Sequence, residues 1–181
     1  MKVLDKDKIV YQGRHIEVLE RKFLNKQNQE QTWEMVHRRI YGQIVVIAAV
    51  TPEHELILEK IYRIPLKDYV LELPAGITDV KGEDELETAK RELVEETGYT
   101  STQWELLTEA PVDPGLSENV FLIYLAKNAF QNQEPNHSDT EQIEIIKVPL
   151  QDLTKFVEKQ RLETKIDIKI LSILPLLANR I

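Results

Sequence analysis

The chain contains no cysteine among its 181 residues. This absence excludes disulfide bonds, zinc-thiolate sites and thiol nucleophiles, and it agrees with a reducing compartment. The four histidines lie far apart and show no zinc-binding spacing: His15, His37, His54 and His137. Any bound metal ion must therefore be held by oxygen atoms or by histidine.

Positive charge is also scarce. The chain has 23 Lys and Arg residues against 31 Asp and Glu residues, a net charge of −8, and no basic run. Such a surface repels a long polyanion, so we expect no nucleic-acid partner. A small phosphorylated substrate is compatible with this charge if cations bridge it.

Long hydrophobic runs are absent as well. The first ten residues, MKVLDKDKIV, alternate charged and apolar side chains, unlike a secretory signal. The apolar run 44–50 is much shorter than the roughly 20 residues that a membrane-spanning helix needs. We therefore expect a cytoplasmic protein without a membrane partner. With 42% hydrophobic residues, the chain can form one globular domain and a small appended subdomain.

The predicted elements follow a mixed order, neither all-β nor a regular alternation of strand and helix. Hydrophobic patterns predict strands at 9–24, 31–40, 44–50, 56–62, 70–73, 104–110, 120–126 and 142–148. Polar segments predict turns at 25–29 and 51–55, the second as a hairpin connection, and a long loop at 128–140. Helical patterns cover 84–97, about 150–160 and 164–178.

The segment 84–97 is the best-defined helix. Asp84 can cap its first turn, and Glu87 three residues later completes a capping box. Gly98 suits the left-handed conformation that often follows a helix. Three apolar residues at helical spacing form a stripe that we expect to pack on the sheet: Leu86, Ala89 and Leu93.

Three glutamates share another face of this helix: Glu85, Glu92 and Glu96. They fall within an arc of about 40°, because spacings of four and seven residues return to nearly the same face. Like charges four residues apart destabilise a helix by roughly 0.2–0.5 kcal/mol per pair. Arg91 projects near the opposite face, within reach of Glu87 and Glu95, so no basic residue lies in the arc. A hard divalent cation would neutralise it; the alternative is a solvated acidic surface.

Residues 76–99, GITDVKGEDELETAKRELVEETGY, contain this helix and follow a strand end and loop predicted at 73–76. They closely resemble the Nudix box, G-x5-E-x7-R-E-U-x-E-E-x-G-U, where U is aliphatic. Six residues lie between Gly76 and Glu83 where the pattern has five, and Tyr99 replaces the aliphatic residue. Neither change touches the helix that would hold metal.

The resemblance covers most of the chain and is similar to the ADP-ribose or ADP-sugar pyrophosphatase branch of the Nudix family. Further matching features are Thr32–Arg38, Tyr62–Arg63, Asp113–Ser117 and Glu141. The resemblance implies an α/β (α+β) fold, an α/β/α sandwich around a mixed sheet. It also implies a small antiparallel β-subdomain over 1–42, exchanged within a homodimer, and a Nudix hydrolase domain over 43–181.

The same resemblance implies a metal site on the box. Magnesium, with manganese as an alternative, would be bound by Glu92, Glu96 and the carbonyl of Ala75, while Glu95 would support the catalytic metal. We expect alanine at Glu92 or Glu96 to abolish metal-dependent cleavage and leave the fold intact.

Residues around the metal site would support it. The resemblance makes Glu141 both a metal contact and the general base that activates water. Asp139 and Glu144 are alternative bases, and all three could instead face solvent. Glu83 and Arg91 would brace the loop and helix through salt bridges; an ordinary surface pair is the alternative for Arg91.

The resemblance also implies a substrate site. Trp33 would stack on adenine, a contact worth roughly 1–3 kcal/mol; a buried core position is its alternative. Arg38 and Arg63 would meet the phosphates and the adenine side. His15 occupies the position of a second stacking aromatic residue, where a surface role is the simpler interpretation. Asp113 and Ile77 would line the ribose-phosphate end.

The implied activity is hydrolysis of a nucleoside diphosphate sugar, with ADP-ribose cleaved to AMP and ribose 5-phosphate. One alternative is a Nudix pyrophosphatase for GDP-mannose, a flavin dinucleotide or a diadenosine polyphosphate. Another is a sensor that binds ADP-ribose without cutting it. The complete set of helix glutamates argues against the sensor.

Overall fold

The computed structural model describes the chain except for residues 5, 41, 138–141, 178–179 and 181. The described strands are β1 (Lys2–Val3), β2 (Lys8–Gln12), β3 (Ile16–Leu24), β4 (Glu30–Arg38), β5 (Ile44–Ala49), β6 (Glu55–Arg63), β7 (Asp68–Glu72), β8 (Ala75–Ile77), β9 (Tyr99–Thr100), β10 (Gln103–Pro111), β11 (Val120–Lys127), β12 (Phe130–Gln131), β13 (Ile143–Pro149) and β14 (Lys165–Ile166). The described helices are α1 (Glu85–Thr97), α2 (Leu153–Gln160) and α3 (Ile168–Leu177), with a 3-10 turn at Leu150–Asp152. No helix in the described ranges is long and apolar enough to cross a membrane.

Strands β1 to β4 form a separate antiparallel sheet at the N-terminus. β3 pairs with β4 along its whole length on one edge, and with β1 and β2 on the other. The prediction of one continuous strand over 9–24 was wrong. Gly13 donates its backbone N–H to the carbonyl of Ile16 at 2.8 Å, and the chain reverses there.

Two further sheets form the middle of the molecule. One has the order β10-β11-β5-β8 and the other β13-β6-β7-β14. The β11–β5 and β7–β14 pairs are parallel, so both sheets are mixed. The predicted turn is present, with the N–H of Thr51 donating to the carbonyl of Glu55 at 2.9 Å. Across the turn, Val50 forms an isolated antiparallel bridge with Leu56. The turn does not join two strands of one sheet as predicted, because β5 and β6 belong to different sheets.

Strand β5 separates two halves of the core, because successive side chains of a strand point to opposite faces. Val46 and Ala48 are fully buried in a cluster with side chains of α2 and α3. Val45 and Ile47 are fully buried on the other face, against α1. Helices therefore cover both faces of the sheets, which is the α/β/α sandwich that the resemblance implied.

Helix α1 begins and ends where the sequence predicts. The Asp84 side chain accepts from the N–H of Glu87 at 2.8 Å, and the Glu87 side chain accepts from the N–H of Asp84 at 3.3 Å. Gly98 takes a left-handed conformation with φ of 75°. Ala89 and Leu93 are fully buried, and burying a leucine stabilises the fold by about 1.5–3 kcal/mol. The predicted capping box and apolar stripe are confirmed.

Two short strands replace parts of a predicted loop and a predicted helix. The loop predicted at 128–140 contains β12, where Phe130 pairs with Thr100 of β9. The helix predicted at 164–178 is preceded by β14, where Lys165 pairs with Val70 of β7. A strand of two residues is too short to show an alternation of apolar and polar residues. Such a strand is recognised only by its pairing with another strand.

Candidate active site

The Nudix-box segment begins on a strand rather than in the loop predicted at 73–76. Strand β8 places Ala75 opposite Val46 and Gly76 opposite Val45 of β5. The backbone N–H of Ala75 donates to Oε2 of Glu96 at 3.0 Å. The peptide of Ala75 therefore lies directly beside a carboxylate in the last turn of α1.

Gly76 is the point of closest approach between β8 and α1. A Cβ at this position would overlap the side chain of Glu92. The φ angle of Gly76 is not in the left-handed region, so space rather than backbone conformation requires glycine here. The glycine lets the Glu92 side chain lie against the strand.

We expect Gly76→Ala to lower the kcat of the metal-dependent cleavage that the resemblance implies at least about 10²-fold. A misplacement of roughly 1 Å in a catalytic site can cost that much. The added methyl group would force the Glu92 side chain out of its position. Steady-state kinetics of the purified variant would measure the loss. Gly13→Ala, in the turn between β2 and β3, is a glycine control that should retain turnover. A kcat of Gly76→Ala close to the wild-type value would show that the position of Glu92 does not depend on glycine at position 76.

Two carboxylates of α1, those of Glu92 and Glu96, are partly buried. The Glu92 side chain is 16% exposed, whereas that of Glu95 is 45% exposed. Burial raises the pKa of Glu92 above its ordinary value, although Arg91 opposes the effect. Burial also raises the pKa of Glu96, and the nearby charge of Glu59 adds to it. The alternative of a solvated acidic surface does not fit Glu92 and Glu96.

Arg91 joins the acidic side chains at the junction of loop and helix. It donates to Glu83 at 3.0 Å, to Glu92 at 2.9 Å and to Glu95 at 3.0 Å. The predicted contact of Arg91 with Glu95 is confirmed. The prediction that Arg91 lies away from the acidic arc was wrong, because Arg91 also reaches Glu92, while Glu87 serves in the capping box. The bond from Arg91 holds the pKa of Glu83 below its ordinary value. These contacts are the ones that a bracing role requires.

A second pair of buried carboxylates lies beside Glu96, and the sequence patterns did not single it out. Glu59 of β6 is 2% exposed and lies directly opposite Glu72 of β7, which is 6% exposed. Arg63 binds Glu72 through two bonds of 2.7 and 3.0 Å. The bond to Glu72 raises the pKa of Arg63, and the charges of Glu96 and Glu59 raise it further. The available signal was a glutamate next to apolar residues in each strand, LILE at 56–59 and YVLE at 69–72. The alternation of side chains along a strand does not by itself reveal which face of the sheet is buried.

The predicted general base Glu141 and its alternative Asp139 lie outside the described residues. The other alternative, Glu144, lies on β13 opposite Lys60, with its side chain 68% exposed and 3.9 Å from Nζ of Lys60. Paired residues on neighbouring strands share a face, so Glu144 points away from the face that carries Glu59. The structure therefore does not bring Glu144 to the buried carboxylates.

The predicted substrate residues of the N-terminal sheet lie far apart in one chain. Trp33 lies opposite Arg21, whereas His15 precedes the pair formed by Ile16 and Arg38 at the other end of the hairpin. Trp33 and Arg38 are five residues apart, which is roughly 17 Å along a strand and places them on opposite faces. A single chain therefore does not bring Trp33, His15 and Arg38 into one site.

Trp33 borders a cavity of about 400 Å³ between the N-terminal sheet and residues 114–118. Its Nε1–H donates to the carbonyl of Gly115 at 2.9 Å, and the residue is 52% exposed. This exposure excludes the buried core alternative. The apolar and charged side chains around the cavity include Val3, Phe23, Met35, Leu116, Arg21 and Glu118.

Arg38 borders a smaller cavity of about 210 Å³ together with Gly42. The N–H of Gly42 donates to the carbonyl of Thr78 at 3.1 Å, so this cavity lies at the end of β8 that carries Ile77. Asp113 is exposed, and its carbonyl accepts the backbone N–H groups of a tight turn at 113–117. Arg38 and Ile77 therefore lie at one end of the box.

No three His, Asp or Glu side chains in the described part of the chain are arranged as a ready metal site. The donor chemistry nevertheless suits a hard divalent cation, which prefers oxygen ligands. Glu96 lies beside the Ala75 peptide and Glu92 against Gly76; both are partly buried, and burial raises the pKa of both. A cation bound between them would remove the cost of ionising them.

A family profile described as the NUDIX domain matches residues 41–169, more than half of the chain. The chain belongs to the Nudix family. This Nudix protein is 36% identical over 117 residues to the ADP-ribose pyrophosphatase of Bacillus subtilis (strain 168). It is 32% identical over 119 residues to the methanol dehydrogenase activator of Bacillus methanolicus.

These matches cover 64% and 65% of this chain, and they span only 63% and 64% of the two relatives. The solved structure described as the crystal structure of an ADP compounds hydrolase superposes with a TM-score of 0.81 at 20% identity. That superposition covers 99% of this Nudix chain and 94% of the other. The likeness shows the fold, and the resemblance to the Nudix box is confirmed by the family match.

Proposed function

We propose that this Nudix protein hydrolyses the pyrophosphate bond of a nucleoside diphosphate sugar, with ADP-ribose as its substrate. The observation that carries this proposal is the pair of partly buried carboxylates on the Nudix-box helix, with Glu96 bonded to the Ala75 peptide and Glu92 against Gly76. A divalent cation would bind these two carboxylates and neutralise their charge. The similarity to an ADP-ribose pyrophosphatase supports the choice of substrate.

Glu92, Glu96 and the carbonyl of Ala75 would hold magnesium, or manganese, with Glu95 in support. When bound, such an ion screens the diphosphate and polarises an oxygen on phosphorus. Glu141 takes one proton from the attacking water, whose oxygen bonds to one phosphorus atom. The bond from that phosphorus to the bridging oxygen breaks, so ADP-ribose and water give AMP and ribose 5-phosphate without a covalent intermediate.

The acidic site needs positive side chains for the substrate. Arg63 is held by two bonds to Glu72 beside the buried carboxylates, where its guanidinium can meet a phosphate. Arg38 borders the cavity at the Ile77 end of the box. We assign both arginines to the diphosphate and the groups next to it.

We further propose a homodimer in which the β-subdomain over 1–42 packs on the Nudix domain, 43–181, of a second copy. Among the described residues of this sheet, Leu19 and Met35 are the buried hydrophobic ones, each 6% exposed. Its exposed apolar side chains are Val3, Ile9, Val10, Tyr11, Ile16 and Trp33. A small sheet with so little buried area needs another surface to pack on. A partner would cover it and would bring Trp33 to a site that one chain leaves incomplete.

A substrate panel with product analysis tests the activity. We expect ADP-ribose to give AMP and ribose 5-phosphate, with a kcat/KM at least about tenfold above those of the competitors, since a site that hydrogen-bonds its substrate discriminates at least that strongly. The competitors are GDP-mannose, flavin adenine dinucleotide and a diadenosine polyphosphate. Turnover should require magnesium or manganese and stop in EDTA.

Other outcomes of the panel would favour the alternatives. A higher kcat/KM for one competitor would assign the site to that nucleotide. Tight binding of ADP-ribose without hydrolysis, in both magnesium and manganese, would favour a sensor.

A further inference from the structure

Arg63 and Glu72 lie on neighbouring strands, β6 and β7, but they are not opposite each other. Arg63 pairs with Asp68, and Glu72 pairs with Glu59. The two pairs are four residues apart, so they share one face of the sheet and lie roughly 13 Å apart along the strands. The side chains nevertheless meet in bonds of 2.7 and 3.0 Å. Arg63 must therefore extend along the strands, away from the turn at 64–67 and toward Glu72.

The geometry of this pair leaves one edge of the guanidinium for a ligand. Nε donates to Oε1 of Glu72 and Nη2 donates to Oε2, so the pair does not use Nη1 and its two hydrogens. The Arg63 side chain is 41% exposed, whereas that of Glu72 is buried. After the bond to Glu72, the charge of Glu96 contributes to the raised pKa of Arg63, so the guanidinium lies near the proposed metal ligand. Because a guanidinium is planar and rigid, fixing one edge also fixes the direction of the other.

The charge of Glu72 is unfavourable for an anionic substrate. This buried carboxylate lies opposite Glu59 and adds negative charge to the region of Glu96, where the proposed function places a diphosphate. Ion pairs that involve a buried group are often no more stabilising than apolar residues of the same volume. An arginine with several rotatable bonds, however, binds a phosphate more tightly if it is fixed before the substrate arrives. The pair is therefore best explained by its effect on Arg63.

We propose that Glu72 is a positioning residue, which fixes the guanidinium of Arg63 so that its Nη1 edge meets a phosphate of the substrate. This role rests on the proposed hydrolase function, because it assumes that a diphosphate binds beside Glu96. Position and charge then predict effects of opposite sign when Glu72 is replaced. Removing a negative charge would favour an anionic substrate, whereas releasing Arg63 would weaken its contact with the phosphate.

Kinetics of Glu72→Gln separate these two effects. The amide keeps the size of the side chain but accepts through one oxygen only, so it cannot hold both nitrogens of Arg63. We expect kcat/KM for ADP-ribose to fall about 10- to 100-fold, since a misplaced arginine clamp can cost that much. Glu55→Gln, at the other end of β6 in an ion pair with Lys147, is the matched control and should turn over like wild type. An unchanged or higher kcat/KM in Glu72→Gln would overturn the assignment.

A double variant distinguishes positioning from a general structural role. If Glu72 acts through Arg63, Glu72→Gln should cost nothing further when position 63 is already alanine. We expect the double variant to have a kcat/KM within about threefold of that of Arg63→Ala, or above it, because Arg63→Ala leaves the buried carboxylate without its arginine. A larger further loss would show that Glu72 supports the fold rather than the arginine.

Nitrogen-15 relaxation of the Arg63 Nε–H tests whether Glu72 fixes the guanidinium, whatever the activity. The order parameter in wild type should be about 0.85, as in rigid backbone, and should fall below about 0.6 in Glu72→Gln. If wild type hydrolyses nothing in the panel, the proposed function fails while this measurement still reports on Arg63. Equal order parameters in the two proteins would show that Glu72 does not fix the side chain.

Discussion

Glu96→Gln should lose metal-dependent turnover by about 10³-fold or more, because it removes one of the carboxylates proposed to hold the cation that polarises the diphosphate. The amide keeps the size of the side chain and can still accept the N–H of Ala75, a bond of 3.0 Å in the wild type. The fold should therefore persist. Turnover of ADP-ribose and calorimetric titration with magnesium would measure the two losses. Substantial turnover in this variant would refute the metal assignment.

The same variant should be more stable than wild type in the absence of metal at pH 8. Burial raises the pKa of Glu96, so the folded state keeps a proton that the unfolded state releases above a pKa of about 4.3. From there up to the raised folded-state pKa, the free energy of unfolding falls as pH rises. Glutamine does not ionise, and we expect it to recover roughly 1–3 kcal/mol, since one pKa unit corresponds to about 1.4 kcal/mol.

Thermal unfolding in EDTA across pH 5 to 8 tests whether stability falls as pH rises. The wild-type melting temperature should decline more steeply with pH than that of Glu96→Gln. Added magnesium should stabilise wild type more at pH 8 than at pH 5, because the cation binds the ionised carboxylates. Glu163→Gln, an exposed change after α2, should follow wild type. Parallel curves for Glu96→Gln and wild type would indicate that the pKa of Glu96 is not raised in the folded state.

Mixing two impaired variants should raise activity above that of either one alone if the site is shared between subunits. Trp33→Ala removes the proposed base-stacking group, and Glu96→Gln removes a metal ligand. In a mixed dimer, the chain with intact Glu96 receives Trp33 from its partner. One of the two sites of that dimer is therefore complete. With random assortment, half of the dimers are mixed and half of their sites are complete, about a quarter of wild-type activity.

Complementation depends on exchange between chains, so the two variants should be unfolded and refolded together. Each variant refolded alone is the control. If Trp33 serves its own chain, every site in the mixture lacks one group, and activity stays at the level of the separate variants. Light scattering on wild type should give twice the mass of one chain. A monomer would contradict the proposed homodimer.

Features with a local cause were predictable from the chain. The capping box at Asp84, the end at Gly98 and the apolar stripe of α1 follow from spacing along one helix. The long strands β5, β6, β10, β11 and β13 also agree with their hydrophobic runs. The buried pair Glu59 and Glu72 was not predictable, because its partners come from another strand and from α1.

The amino-acid sequence by itself determined the Nudix box, the helix with its stacked glutamates and the exclusion of thiol chemistry, since each depends on residue type and short spacing. Only the tertiary structure decided which carboxylates are buried, that Arg91 reaches Glu92 and that Glu144 faces away. Burial and contact between distant segments depend on how strands are ordered in the sheets. No local pattern specifies that order.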